Sequence, residues 1–137
     1  MKETKRRERL VPEDDLSYQI IGAAIEVHKT LGGPGLLESV YEEALVWELQ
    51  HRGLSVQRQL AVPISYKGNQ LATPLRVDLL VEGLVIVENK ATTNYNPIFE
   101  TQTLTYLRLM NLRLGMVINF GEKIVKDGIH RVPNILS

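Results

Sequence analysis

The sequence predicts an α/β fold in which helices pack against a mixed β-sheet. Two stretches in the first third of the chain repeat apolar residues at helical spacing, three strand-like runs follow, and another helical stretch precedes a last apolar run. Short turns join antiparallel strands, whereas a helical crossover normally returns the chain to a strand parallel to an earlier one. The order helix, helix, three strands, helix and strand therefore predicts a sheet with both kinds of pairing.

The first two predicted elements are helices. One begins at Pro12, because proline and the acids that follow it are favoured in the first turn of a helix. Its apolar residues continue at helical spacing to Leu31, and the glycine-rich run 32–35 ends it. The second helix occupies about residues 36–52, carries a similar apolar stripe and stops at Gly53.

Three strands are predicted in the middle of the chain. Residues 54–66 and 70–82 flank a turn at 67–69 and therefore predict a hairpin. A second turn around Gly83 leads into the third strand, residues 84–91, which is apolar on both faces.

The rest of the chain predicts a helix followed by strands. The helix begins at Pro97 and extends to about Leu112. Residues 114–120 form an apolar strand, and Ile129–Val132 a short edge strand.

Length and composition limit the kinds of site that the chain can carry. The 137 residues suffice for one domain, and the absence of cysteine excludes disulfides and thiolate zinc sites. Three scattered histidines do not form an imidazole cage, so any metal should be held by oxygen. No apolar run approaches the roughly 20 residues that span a bilayer, so we expect a soluble, cytoplasmic protein without a membrane partner.

The charge is balanced overall but unevenly distributed. Sixteen Lys and Arg residues face sixteen Asp and Glu residues, which by itself gives no support for a nucleic-acid partner. Residues 1–10 nevertheless carry five basic and two acidic side chains. We interpret residues 1–11 as a basic, flexible arm and residues 12–137 as a single domain. Both a solvated tail and a phosphate-contacting arm fit this composition, and the tail is favoured because short charged termini are usually loose.

Charged residues cluster where two predicted strands meet. Side chains alternate along a strand, so Glu88 and Lys90 point one way and Asn89 the other. Antiparallel pairing across the turn at Gly83 brings Asp78 near Glu88. Two carboxylates and an ammonium would then share a pocket, which is costly unless they are paired, neutralised or bound to a metal. A structural salt bridge is the alternative interpretation.

A third carboxylate lies at the start of the second helix. Glu38 could simply favour the helix dipole, but it stands in the pattern Gly35-x-x-Glu38-x-x-Tyr41. This pattern resembles the name-giving motif of the GxxExxY proteins, a branch of the PD-(D/E)xK nuclease superfamily. Further segments resemble that family in the same order along the chain: Ile25–His28, Leu31–Gly32, Arg76–Val81, Glu88–Lys90 and Ile118–Gly121.

The resemblance implies a restriction-endonuclease-like α/β core and a phosphodiesterase site. In that site Glu38, Asp78 and Glu88 would hold one or two Mg²⁺ or Mn²⁺ ions, and Lys90 would assist attack on the phosphodiester. Gln102 and Tyr106 are spaced i, i+4 and resemble the Gln-x-x-x-Tyr element of RecB-like exonucleases. Asn89 departs from the family, which usually has an apolar residue there. A buried amide needs hydrogen-bond partners, so either Asn89 is bonded or the strand end is open.

These observations predict a metal-dependent nuclease, with DNA favoured as the substrate. One alternative is a non-catalytic module that binds nucleic acid or protein on a nuclease fold, because a fold does not fix a function. Another is a hydrolase of small phosphate compounds. The sequence does not distinguish a DNA substrate from an RNA substrate or an endonuclease from an exonuclease. It also does not determine whether the protein is a monomer or a homodimer.

Overall fold

The structure, a computed structural model, describes residues 12–135 and therefore leaves the predicted basic arm outside the described residues. The helices are α1 (Pro12–Thr30), α2 (Glu38–His51) and α3 (Ile98–Met110), with a 3₁₀ turn at Val125–Gly128. The strands are β1 (Val56–Val62), β2 (Ser65–Tyr66), β3 (Asn69–Gln70), β4 (Leu75–Val81), β5 (Val85–Lys90), β6 (Leu114–Asn119) and β7 (Ile129–Pro133). Within residues 12–135 no helix is long and apolar enough to cross a membrane.

Five of the strands form one mixed sheet in the order β1-β4-β5-β6-β7. Strands β5 and β6 are parallel and are joined through α3, whereas the other neighbours are antiparallel. This pairing confirms the predicted mixed sheet. Its functional consequence is that β5 and β6 both end at the same edge of the sheet, which is where the charged residues lie.

Side chains from the central strands pack against helices on both faces of the sheet. Val85 and Val87 of β5 belong to the core under α1 and α2, which also buries Ile20. Ile86, between them, belongs to the core under α3 together with Leu107. A strand with two covered faces must be apolar throughout, and the run before Glu88 is apolar for this reason.

The turn between β4 and β5 follows the prediction. Glu82 and Gly83 both adopt left-handed backbone conformations, with φ of 54° and 67°. Two successive left-handed residues form the tight turn whose twist matches that of an antiparallel pair. This turn fixes the register Leu79↔Val87 and Val81↔Val85.

The predicted hairpin of residues 54–66 and 70–82 is wrong in the length of its two strands. Strand β1 ends at Val62, a separate small hairpin follows, and β4 begins only at Leu75. Pro63 and Pro74 stand at the two breaks, and proline has no N–H group to donate to a sheet.

Candidate metal centre

Strands β4 and β5 separate at Asp78 and Glu88. The last backbone pair is Leu79↔Val87, and Asp78 and Glu88 occupy the next opposed positions. At these positions carboxylate oxygens take the place of backbone carbonyls as hydrogen-bond acceptors. The Asp78 N–H donates to Glu88 Oε2 at 2.8 Å, and the Asn89 N–H donates to Asp78 Oδ2 at 2.8 Å. The two carboxylates are therefore fixed side by side at the fork between the strands.

Both acids are largely buried, and nearby positive charge does not compensate for the loss of water around them. Glu88 is only 8% exposed. Burial, and next the neighbouring charge of Asp78, raise the pKa of Glu88 to about 8. Burial also raises the pKa of Asp78, although the hydrogen bond from Asn89 opposes the shift. Raised carboxyl pKa values with a specific charge partner in a cleft are typical of functional sites.

Lys90 contributes a cation to the same group of residues. It is half-buried, and its Nζ lies 4.5 Å from the centre of the Phe99 ring of α3, a distance that permits a cation–π contact. The ammonium lowers the pKa values of both Asp78 and Glu88, but burial of those carboxyls outweighs it. The predicted carboxylate pair and lysine are thus close enough for their charges to influence one another.

Glu38 reaches the same site from the first residue of α2. The residue is exposed as a whole, but partial burial of its carboxyl raises its pKa, Lys90 lowers it, and Asp78 raises it again. Glu38 therefore lies within electrostatic range of both Asp78 and Lys90. The predicted third carboxylate therefore approaches the pair from the start of α2.

Tyr41 has a structural role here that the sequence did not reveal. Its hydroxyl donates to the Gly33 carbonyl at 2.6 Å and accepts from the Leu36 N–H at 3.2 Å. Its ring stacks on Phe120 with centroids 4.8 Å apart. Tyr41 thereby ties the glycine-rich loop before Glu38 to the core of the domain. The spacing of the motif offered a signal, but the partners are fixed only by packing.

Asn89 and Glu42 form a buried polar contact on the opposite face of β5 from Glu88. Asn89 is fully buried, and its Nδ2 lies 3.5 Å from Glu42 Oε1. Glu42 also accepts from Arg58 Nε at 2.7 Å. Of the two possibilities for Asn89, the structure therefore shows the bonded one. Its Oδ1 is buried with no partner among residues 12–135.

The two residues of the predicted Gln-x-x-x-Tyr element differ in their exposure to solvent. Tyr106 is half-buried on α3, and its pKa is raised by burial first and then by the charges of Glu88 and Asp78. Gln102 lies one turn earlier on the same helix and is exposed. Tyr106 is thus near the carboxylates, and the structure shows for Gln102 only an exposed position one turn away.

The chemistry of these donors fits a hard divalent cation. Carboxylate oxygens are the ligands that Mg²⁺ prefers, and Asp78 and Glu88 present two of them without a full countercharge. In the part of the chain that the structure describes, no three His, Asp or Glu side chains are already grouped as a ligand set. Two protein carboxylates with water and substrate phosphate suffice for Mg²⁺, which retains several waters in most sites.

The raised pKa of Glu88 predicts an unusual dependence of stability on pH. The folded state binds the Glu88 proton more tightly than the unfolded state, so the free energy of unfolding should fall as pH rises from about 4.5 to about 8. The slope from one such group is at most about 1.4 kcal/mol per pH unit. Glu88→Gln should flatten it, as measured by urea unfolding with a chelator present.

The exposed Glu43 of α2 supplies the control for this measurement. Glu43→Gln should keep the wild-type slope. Equal slopes in Glu88→Gln and wild-type protein would contradict the raised pKa.

Comparisons with known proteins give one similar solved structure and one matching family. The crystal structure of SSO0001 is similar with a TM-score of 0.42 and 12% sequence identity, over 89% of this chain and 78% of that chain. No curated protein matches the chain. The family model of the PD-(D/E)XK nuclease superfamily matches residues 14–132, nearly all of the described domain. With its mixed sheet, flanking helices and acid pair at the strand fork, the chain belongs to the PD-(D/E)XK nuclease superfamily.

Proposed function

We propose that this protein is a Mg²⁺- or Mn²⁺-dependent nuclease of the GxxExxY type that hydrolyses phosphodiester bonds in DNA. The observation that carries this proposal is the opposed pair Asp78 and Glu88, held at the strand fork by reciprocal hydrogen bonds and short of positive charge. Membership of a nuclease superfamily supports the same conclusion.

The proposed metal ligands are Asp78, Glu88 and Glu38. The first two are fixed on rigid strands, while Glu38 approaches from a helix terminus and is more exposed. A bound divalent ion supplies Lewis acidity, which offsets charge on the phosphodiester and makes water a better nucleophile. Asp78 and Glu88 would hold such an ion at the fork between β4 and β5, where their hydrogen bonds fix the two carboxylates.

Lys90 is the proposed catalytic cation. It follows Glu88 by two residues on the same strand face, and its contact with Phe99 limits the positions of its ammonium. A compact charge at a fixed place can orient the attacking water or neutralise charge on a phosphate oxygen.

Tyr106 and Gln102 are proposed to contact the substrate from α3. Burial and the nearby acids raise the pKa of Tyr106, so its phenol keeps its proton and can donate a hydrogen bond to phosphate. Gln102 is exposed one turn away on the same helix face, where its amide can reach the next part of a bound strand.

A cluster of lysines at the same edge of the sheet supports a polyanionic substrate. Lys29, Lys123 and Lys126 line a groove with a volume of about 280 Å³. In residues 12–135 the ion pairs are made by arginine and histidine, so these three lysines have no acidic partner there. The segment that carries Lys123 follows β6, and the end of β6 adjoins the end of β5, because the Phe120 N–H donates to the Lys90 carbonyl at 2.8 Å. Unpaired cations of this kind bind phosphate backbones.

Cleavage assays on three kinds of substrate test the proposal. Wild-type protein with Mg²⁺ or Mn²⁺ should cleave DNA, and a chelator should remove the activity. Tight binding of DNA with Mg²⁺ or Ca²⁺ but no cleavage of DNA or RNA would instead indicate a non-catalytic module. Hydrolysis of bis(p-nitrophenyl) phosphate and nucleotides, with polymers left intact, would indicate a hydrolase of small phosphates.

A further inference from the structure

Gln59 has a backbone conformation that is unusual for its place in the fold. Its φ is 52°, in the left-handed region, although it lies within strand β1. The other non-glycine residues with positive φ in residues 12–135 are Lys67 and Glu82, both in hairpin turns, and Asn111, which ends α3. A left-handed residue inside a strand is strained and persists only where its surroundings enforce it.

The distortion lies directly opposite Asp78. Strand β1 pairs with β4 through Arg58↔Leu79 and Leu60↔Val77, and the intervening pair of Gln59 with Asp78 is not formed. The Gln59 carbonyl instead accepts a hydrogen bond from Arg76 Nη1 at 2.9 Å. The ladder is therefore interrupted at one position, and that position faces a proposed metal ligand.

The rotated backbone places the Gln59 amide between two acids. Its Nε2 lies 3.0 Å from Glu42 Oε2 and 3.3 Å from Asp78 Oδ1. Ionised carboxylates only accept hydrogen bonds, so the nitrogen of the amide must face them. Its two N–H groups can donate to both acids at once. The amide then lies between the negative charges of Glu42 and Asp78 and reduces their repulsion.

We propose that Gln59 is a positioning residue for Asp78, and that its strained backbone exists to place the amide there; this inference rests on the proposed function. Asp78 Oδ2 already accepts from the Asn89 N–H at 2.8 Å, so the Gln59 amide fixes the second oxygen. With both oxygens held, the carboxylate cannot rotate, and each oxygen keeps a lone pair for a cation.

A purely structural link between β1 and α2 is the competing explanation. Arg58 already provides that link through its contact of 2.7 Å with Glu42. Removal of the Gln59 side chain should therefore leave the fold intact and affect the metal site. A structural role would give the reverse result.

Gln59→Gly and Gln59→Asn test this inference, because glycine and asparagine both tolerate a left-handed backbone. Both variants should melt within a few degrees of the wild-type protein when metal is absent. Their affinity for Mn²⁺, measured by calorimetry, should fall roughly 10- to 100-fold, the effect typical of losing a residue that orients a metal ligand. Lys67→Gly, at another left-handed position, should leave Mn²⁺ affinity unchanged.

Each possible outcome of these measurements supports or overturns the role proposed for Gln59. Wild-type Mn²⁺ affinity in Gln59→Gly would overturn the inference and leave the proposed function standing. Melting temperatures far below wild type in both variants would also overturn it, since they would show a structural role. If wild-type protein itself binds no Mn²⁺, the proposed function and this inference fall together.

Discussion

Asp78→Asn should reduce metal-dependent cleavage of DNA by at least about 1000-fold, which corresponds to about 4 kcal/mol of transition-state stabilisation. The amide oxygen of asparagine can still accept the hydrogen bond from the Asn89 N–H, so the contact between β4 and β5 should persist, while the weaker bond from the Gln59 amide at 3.3 Å is lost. What is lost is the negative charge that attracts the cation. Metal binding, followed by calorimetry, and cleavage should therefore disappear together.

Glu88→Gln should behave in the same way, because its amide can still accept from the Asp78 N–H. Glu43→Gln, an exposed change on α2, is the matched control and should retain wild-type activity. Retention of cleavage within tenfold of wild type in Asp78→Asn would rule out this carboxylate as an essential ligand.

Lys90→Gln should separate metal binding from catalysis. The ammonium opposes the charge of a bound cation, so its removal should leave metal affinity unchanged or slightly tighter. Turnover of bound DNA should nevertheless fall roughly 100- to 1000-fold, the usual cost of losing a group that stabilises developing charge. Single-turnover cleavage at saturating DNA, beside a calorimetric metal titration, measures the two effects independently.

Lys67→Gln supplies the control for this comparison, because Lys67 lies in the small hairpin and outside the main sheet. It should match the wild-type rate. A Lys90→Gln protein with undiminished turnover would remove Lys90 from the catalytic residues.

The residues at the fork could be predicted because two local rules place them. Alternation along a strand puts Glu88 and Lys90 on one face, and the turn at Glu82 and Gly83 sets the register that opposes Asp78 to Glu88. Both rules act over a few residues. The division of the long hairpin could have been predicted in the same way, because Pro63 interrupts the strand pattern.

The contacts around the fork could not be predicted in this way. Gln59 lies 19 residues from Asp78 along the chain, and the Gln59 amide reaches Asp78 only because its backbone leaves the strand conformation. Tyr41 and Asn89 likewise take partners on other elements, respectively Phe120 in the segment after β6 and Glu42 in α2. No local pattern specifies such partners.

Most of the helices and strands, the mixed sheet and the opposition of Asp78 to Glu88 follow from the amino-acid pattern, because periodicity and turn chemistry are properties of neighbouring residues. Folding sets how Glu38 approaches that pair, how the buried acids acquire raised pKa values, and which lysines share a groove formed by α1 and the segment after β6. These features depend on burial and on charges brought together by packing, and both exist only once the helices close on the sheet.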